Sequence, residues 1–257
     1  MKKIILILAV LLLSTSIYAQ RSKKRGSTIK WISLAVKGGY GNSILFNADV
    51  SADPNVTINY LSPAYNIGGR FGLTFGDNFG VYLEVLSSSF SQEYEISPVS
   101  VVPYVKKQEF KSLDMILELR YTSDYGFYVE AGPVFHTLKS ASETNSDESL
   151  VFTPNRDENL DDFADKYNSL MFGIGFAAFR GDRLNVNVGL RGTYALGDFV
   201  VDPGSFYVLD DGANYPPPAS TGAATNPFSA KIMLEVNYFF AFWGDASCGR
   251  GRMMFFQ

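Results

Sequence analysis

The sequence predicts an all-β fold: an eight-stranded antiparallel up-and-down transmembrane β-barrel. Three observations predict it. Apolar residues alternate with polar or small ones along eight separate segments, short and long connections between them alternate, and the composition is aromatic-rich and charge-poor. Strict alternation belongs to strands, because successive side chains point to opposite faces of a sheet.

The clearest segment is Leu184 to Leu196, where Leu184, Val186, Val188, Leu190, Tyr194 and Leu196 oppose Asn185, Asn187, Gly189, Arg191 and Thr193. The others follow in chain order. Ile32, Leu34, Val36 and Tyr40 oppose Ser33, Ala35, Lys37 and Gly39. Tyr65, Ile67, Phe71, Leu73 and Phe75 oppose Asn66, Gly68, Arg70, Gly72 and Thr74. Val81, Leu83 and Val85 oppose Tyr82 and Glu84. Leu113, Met115, Leu117, Leu119 and Tyr121 oppose Ser112, Asp114, Glu118 and Arg120. Phe127, Val129, Ala131, Pro133 and Phe135 oppose Tyr128, Glu130 and Gly132. Leu170, Phe172, Ile174 and Phe176 oppose Met171, Gly173, Gly175 and Ala177. Last, Ile232, Leu234, Val236, Tyr238, Phe240 and Phe242 oppose Lys231, Glu235 and Asn237. Each segment is close to the roughly 9–11 residues that a tilted membrane strand needs.

Three connections are tight and rich in Gly, Asp and Asn: 76–78, 122–126 and 181–183. Four are long, at about 41–61, 95–109, 139–168 and 198–229. The alternation puts all short turns at one end of an up-and-down barrel, the asymmetry of outer-membrane barrels, whose short turns face the periplasm.

Of the 257 residues, 46% are hydrophobic, 15% aromatic and only 19% charged, with 1 His and 1 Cys. These counts exclude a disulfide framework and multi-Cys or multi-His metal centres. A net charge of -4 argues against nucleic acid as a partner, and nothing calls for a cofactor. Lys2 and Lys3 precede the apolar run Ile4 to Leu13, followed by small and polar residues ending in Ala19. This reads as a secretory signal peptide over residues 1–19. The expected organisation is then a periplasmic lead at 20–28, an outer-membrane barrel at 29–243 and a periplasmic tail at 244–257.

Period two leaves open which face points inward. In a soluble barrel the apolar face lines a ligand cavity; in a membrane barrel it meets lipid. The polar face carries Lys37, Arg70, Arg120, Arg191 and Lys231 against Glu84, Asp114, Glu118, Glu130 and Glu235. Five cations and five anions can pair within a narrow lumen, and eight strands leave an interior just wide enough for side chains. Aromatic residues also mark both ends of the apolar face, as at Tyr65 and Phe75. Both features favour the membrane orientation and a filled lumen.

The order of a Gly-rich second strand (Gly68-Gly69-Arg70-Phe71-Gly72), a Glu-bearing third strand, the fifth strand Phe127-Tyr-Val-Glu-Ala-Gly-Pro-Val-Phe135 and the seventh, Gly189-Leu-Arg-Gly-Thr-Tyr194, carries a resemblance. The chain resembles the small outer-membrane β-barrel proteins of Bacteroidota often labelled PorT-like, over about residues 29–243. The resemblance implies an eight-stranded outer-membrane barrel and little about activity, although some members resemble components linked to protein secretion. The tail after Trp243 departs from the family pattern.

Candidate chemistry is sparse. By parity His136 faces inward near the long-loop end, with Ser87, Ser88, Ser89 and Glu93 at a similar depth; a hydrolytic site needs such a grouping. Asn155, Asp157, Glu158, Asp161, Asp162 and Asp165 could ligate calcium, but they lack the order of a defined site, and a solvated acidic loop is the plainer reading. In the tail, Arg250, Arg252, Phe255 and Phe256 form a possible docking peptide for a periplasmic partner, with fraying as the plainer reading. The function expected is therefore non-enzymatic: a monomeric barrel with an anchoring or interaction role, partnered by outer-membrane lipid and by an envelope protein, and accessory to an envelope or secretion assembly. The alternatives are an outer-membrane enzyme acting on lipid or peptide, and a soluble periplasmic barrel that binds an apolar ligand.

Overall fold

The computed structural model describes residues 29–97, 103–146, 163–201, 207–208, 214–215, 223–245 and 251–255. The expected signal peptide and periplasmic lead lie outside them. The elements are β1 (Ile29–Phe46), α1 (Ala48–Ala52), β2 (Val56–Asn59), β3 (Ser62–Phe75), β4 (Phe79–Ile96), β5 (Tyr104–Thr122), β6 (Phe127–Asn145), β7 (Lys166–Arg180), β8 (Leu184–Ala195), β9 (Tyr207–Val208), β10 (Asn214–Tyr215), β11 (Asn226–Asp245) and β12 (Gly251–Phe255).

Eight strands close a ring in the order β1-β3-β4-β5-β6-β7-β8-β11, and β11 returns to pair with β1. All pairings are antiparallel. Following one hydrogen-bonded row around the ring gives its geometry. Phe75 pairs Phe79, and the row continues through Tyr121, Val129, Ile174, Leu190, Ile232 and Tyr40 back to Tyr65 on β3. One circuit climbs from Phe75 to Tyr65. With about 3.3 Å per residue and about 4.8 Å between strands, that climb corresponds to a strand tilt of about 40°.

The alternation sorts side chains as a membrane barrel requires. Leu34, Val36, Ile67, Leu119, Phe172 and Leu190 are exposed on the outside, whereas Lys37, Glu84 and Glu118 are fully buried inside. This inverts the arrangement of a water-soluble domain. At the short-turn end, Gly76 and Gly126 sit at φ of 61° and 90°, a region that only glycine adopts readily.

Three features differ from the sequence expectation. First, the strands run past the expected lipid-crossing segments. β4 and β5 pair up to Ile96 with Tyr104, and β5 and β6 up to Lys106 with Asn145. Parts of the expected loops, 95–96 and 104–109 in one and 140–145 and 166–168 in the other, are therefore paired sheet, because a hairpin leaving a barrel can keep its ladder outside the membrane. Second, a register shift at Ile32/Ser33 leaves Phe240 without a partner and sets Phe242 opposite Trp31, so simple alternation stops at Tyr238. Third, Gly251–Phe255 returns as β12 and pairs with Ala241–Asp245 of β11.

Above the ring at the long-loop end, two apolar clusters close the mouth. Phe90, Phe110, Phe163, Tyr167 and Phe199 pack with Leu45, Leu138 and Ala195. Ile44, Val50, Ile58, Tyr94, Ile96 and Tyr104 form the second. Asn47 caps α1 by accepting a hydrogen bond from the Val50 amide, and its side-chain amide donates to Thr225, tying α1 to the segment before the neighbouring strand β11 just past the Phe46–Asn226 pair.

Candidate functional site

The lumen is the candidate site, and its polar residues fall into two layers. In the middle lie Lys37, Arg70, Arg120 and Arg191 with Glu84, Glu118, Glu130 and Glu235, each no more than 4% exposed. Seven of the eight ring strands supply them, since the inward positions of β1, β3, β4, β5, β6, β8 and β11 meet at one height. Arg191 bonds Glu84 at 2.6 Å, Glu130 at 2.7 Å and Glu118 at 3.0 Å. Arg120 reaches Glu118 and Glu130 at 2.7 Å and Glu235 at 2.9 Å. Lys37 sits 2.7 Å from Glu84 and 3.2 Å from Glu235, and Arg70 lies 2.8 Å from Glu235. Asn187 and Asn237 donate further hydrogen bonds to Glu235. The guanidinium of Arg70 stacks 3.9 Å over Tyr82, and that of Arg120 lies 4.2 Å over Tyr128.

The eighth strand contributes space. A methyl group on Gly173 would come within 2.6 Å of the Glu130 carboxylate, and one on Gly175 within 2.5 Å of the Tyr128 ring. The inward glycines of β7 thus make room for side chains reaching across from β6.

Towards the long-loop end lies the second layer. His136 Nδ1 is 2.7 Å from Asp114 Oδ1, and His136 Nε2 is 2.8 Å from Ser169 Oγ. Ser88 and Ser112 also donate to Asp114. Tyr167 stacks on the imidazole with ring centroids 4.2 Å apart. Lys231, 8% exposed, lines the same cavity of about 40 Å³. On the other side of the charged layer a vestibule of about 310 Å³ opens among Trp31, Tyr82, Asn185 and Phe239. None of Lys37, Glu84, Glu118, Glu130 or Glu235 lines either space; they fill the section between the two.

All ten charged residues singled out in the sequence face the lumen, but they do not form one network. Asp114 belongs with His136, and Lys231 lies beside that pair. The serine beside His136 is Ser169, which the sequence reading did not name. Ser88 reaches Asp114 instead, Ser87 is exposed on the outer face, and Glu93 lies on the outside, bonded to Asn59. Ser169 shares the inward parity of Met171, so alternation alone could have found it. Of the acidic-loop candidates, Asp165 is described and exposed, while Asn155, Asp157, Glu158, Asp161 and Asp162 lie outside the described residues. Arg250 and Phe256 also lie outside them; Arg252 and Phe255 are placed by backbone, on β12.

Comparison with known proteins agrees with this architecture. The model of the outer membrane protein beta-barrel domain matches residues 5–209. The chain belongs to that family. As an outer-membrane barrel, it turns its exposed apolar band to lipid. Among solved structures it is similar to the outer membrane protein OprG from Pseudomonas aeruginosa, at 15% identity and a TM-score of 0.40, covering 82% of this chain and 97% of that one. It is also similar to Ail, the attachment invasion locus protein of Yersinia pestis, at 12% identity and a TM-score of 0.39, covering 82% and 99%. The outer membrane protease OmpT from Escherichia coli matches at 12% identity and a TM-score of 0.35, covering 82% and 94%. A comparison with curated protein sequences finds no match.

Proposed function

We propose that this outer-membrane barrel is a closed, non-enzymatic anchor that presents a raised sheet to a protein partner in the envelope. The observation that carries the reading is the charged layer, which fills the lumen from wall to wall beneath an aromatic cap. Such a lumen stabilises a scaffold rather than passing solutes. The raised sheet is the wall of β4, β5 and β6, with β2 added along the other edge of β4, where Val56 pairs with Ile96 and Asn59 with Glu93. Pairing of β6 with β7 stops at Thr137 and Lys166, whereas the wall continues to Tyr104 and Asn145. Tyr94 within it is fully buried, and burial together with the Glu143 carboxylate pushes its phenol well above the ordinary tyrosine range. A packed wall of this kind offers a rigid surface for recognition.

The PorT-like resemblance belongs to this reading and makes the partner part of an envelope or secretion assembly. Export through residues 1–19 belongs to it as well, with N-terminal sequencing of the mature protein as its check. So does periplasmic docking through Arg250, Arg252, Phe255 and Phe256, with Gly251–Phe255 held as a strand on β11. The test of the partner is co-purification from detergent-solubilised outer membranes, comparing the intact chain with one in which residues 93–107, the top of the β4–β5 hairpin above the Gln92–Gln108 pair, are replaced by a two-residue turn. A partner retained by the intact chain and lost from the trimmed one supports the reading; identical co-purification from both contradicts it.

One observation favours a second reading. Asp114, His136 and Ser169 are linked in the order of a hydrolase triad. Ser169 is 2% exposed, however, and the adjoining cavity of about 40 Å³ holds a water molecule rather than a substrate. Labelling by a fluorophosphonate that is lost in Ser169→Ala would establish the enzymatic reading; no labelling supports the scaffold.

A further inference from the structure

We propose that Lys111, Lys139 and Lys166 form a binding surface for the phosphate groups of an outer-leaflet lipid. The proposal rests on the chain's outer-membrane placement and is independent of whether the lumen is closed. The three lysines stand on the adjacent strands β5, β6 and β7, and all three are exposed. Their flanking inward residues, Ser112, Leu138 and Tyr167, are buried, which leaves the lysines on the lipid-facing side.

Register fixes their height. Lys111 pairs with Ser140, the neighbour of Lys139, where a register shift inserts Lys139 as the extra residue of β6. Lys166 pairs with Thr137, which in turn pairs with Leu113. Corrected for strand tilt, the three lysines lie at one level, roughly 5–7 Å apart along the rim. The aromatic belt of this end, formed by Tyr65, Phe135 and Tyr194 on the outer face, lies about three residues lower, or roughly 7 Å. Aromatic belts sit at the edge of the hydrocarbon. Cations a few ångströms beyond that edge sit among the headgroups.

The patch is local, and its charge is not taken up by the described residues. No described residue forms an ion pair or side-chain hydrogen bond with any of the three. Glu109, on the same face above Lys111, is taken by Lys107 at 2.5 Å. Among the described residues, Asp165, next to Lys166, is the other nearby carboxylate, and its backbone carbonyl accepts from the Leu138 amide. Elsewhere the outward positions near this level are uncharged, as at Asn42, Pro63, Ser87 and Leu196. Three ammonium groups spaced by the sheet can share the oxygens of one or two phosphates, and lysine serves phosphate as a mobile point charge. Apolar strands directly below supply the surface for the acyl chains of the same lipid.

The test uses the full-length protein in neutral detergent, with retention of diphosphoryl lipid A, monophosphoryl lipid A and phosphatidylcholine read by native mass spectrometry. Wild type should retain diphosphoryl lipid A best and phosphatidylcholine least. The combined Lys111→Gln, Lys139→Gln, Lys166→Gln variant should lose affinity for the diphosphoryl form by about tenfold or more. Lys30→Gln, at the opposite rim, should leave retention unchanged. Heat-modified gel migration selects folded protein, and the three single variants stand in if the combined one does not fold. Equal retention by wild type and variant, an equal loss in Lys30→Gln, or no preference of wild type for phosphate would overturn the proposal. So would phosphate-lipid binding that is absent in wild type and appears only in a variant lacking residues 147–162, which would make the acidic loop the occupant.

Discussion

Glu118 shows what a single residue does in this lumen. Its carboxylate lies within 3.4 Å of Lys37, Arg70, Arg120 and Arg191. Removing it leaves four cations with three carboxylates, Glu84, Glu130 and Glu235, and so one unbalanced positive charge in a buried layer. Loss of one partner from a buried ionic group costs about 3–5 kcal/mol. Glu118→Leu should lower stability by that amount in urea unfolding from lipid vesicles, although leucine is more apolar than the residue it replaces. Asn187 is a milder case. Its parity is inward, and from parity alone Asn187→Ser looks silent. The structure shows it donating to Glu235 at 2.7 Å, so the change should cost about 1 kcal/mol in the same assay. Alternation gives a residue's side of the sheet but not its bonding partner across the barrel. That is why the inward face of the ten charges was legible, while the separation of Asp114 and Lys231 from the other eight was not. The partnership of His136 with Ser169 escaped for the same reason, since it spans two strands joined by a long connection.

At the scale of the element, β7 and β8 make opposite demands. β7 must stay small inside: Gly175→Val would drive a side chain into Tyr128 and should destabilise the barrel by roughly 1–3 kcal/mol, read from its unfolding midpoint. β8 must stay apolar outside: Leu190 is exposed near the middle of the band, and Leu190→Arg should cost about 2–4 kcal/mol of insertion free energy. Equal tolerance of Leu190→Arg and Asn187→Ser in a membrane-assembly assay would contradict the outward assignment. Period two made these strands legible because lipid and lumen impose opposite polarity on alternate residues. It faded beyond the membrane, where both faces of a paired extension meet mixed surroundings, as at Lys107 and Glu109 on β5. The tail was illegible for another reason: Gly251–Phe255 pairs with a stretch of β11 past its last partner on β8, a contact that no local pattern announces. Since ring closure between β1 and β11 extends to Trp31 and Phe242 without β12, deletion of residues 245–257 should leave heat-modifiable migration intact. Loss of folded migration would show that the tail serves assembly instead.

For the whole molecule, topology followed from the spacing of turns. Tight connections at 76–78, 122–126 and 181–183 left no other order for an up-and-down ring, and the ring observed has that order. What spacing could not reveal was the closure of the mouth, because Phe90, Phe110, Phe163 and Phe199 come from four separate parts of the chain and meet only in three dimensions. The lumen is closed twice, by ionic pairing in the middle and by aromatic packing above. Single-channel recording from the purified protein in a planar bilayer reads that closure. A lumen closed in this way carries no sustained current at any holding potential that the bilayer survives; stable conductance steps of one size from pure protein would show instead that the charged layer is a path.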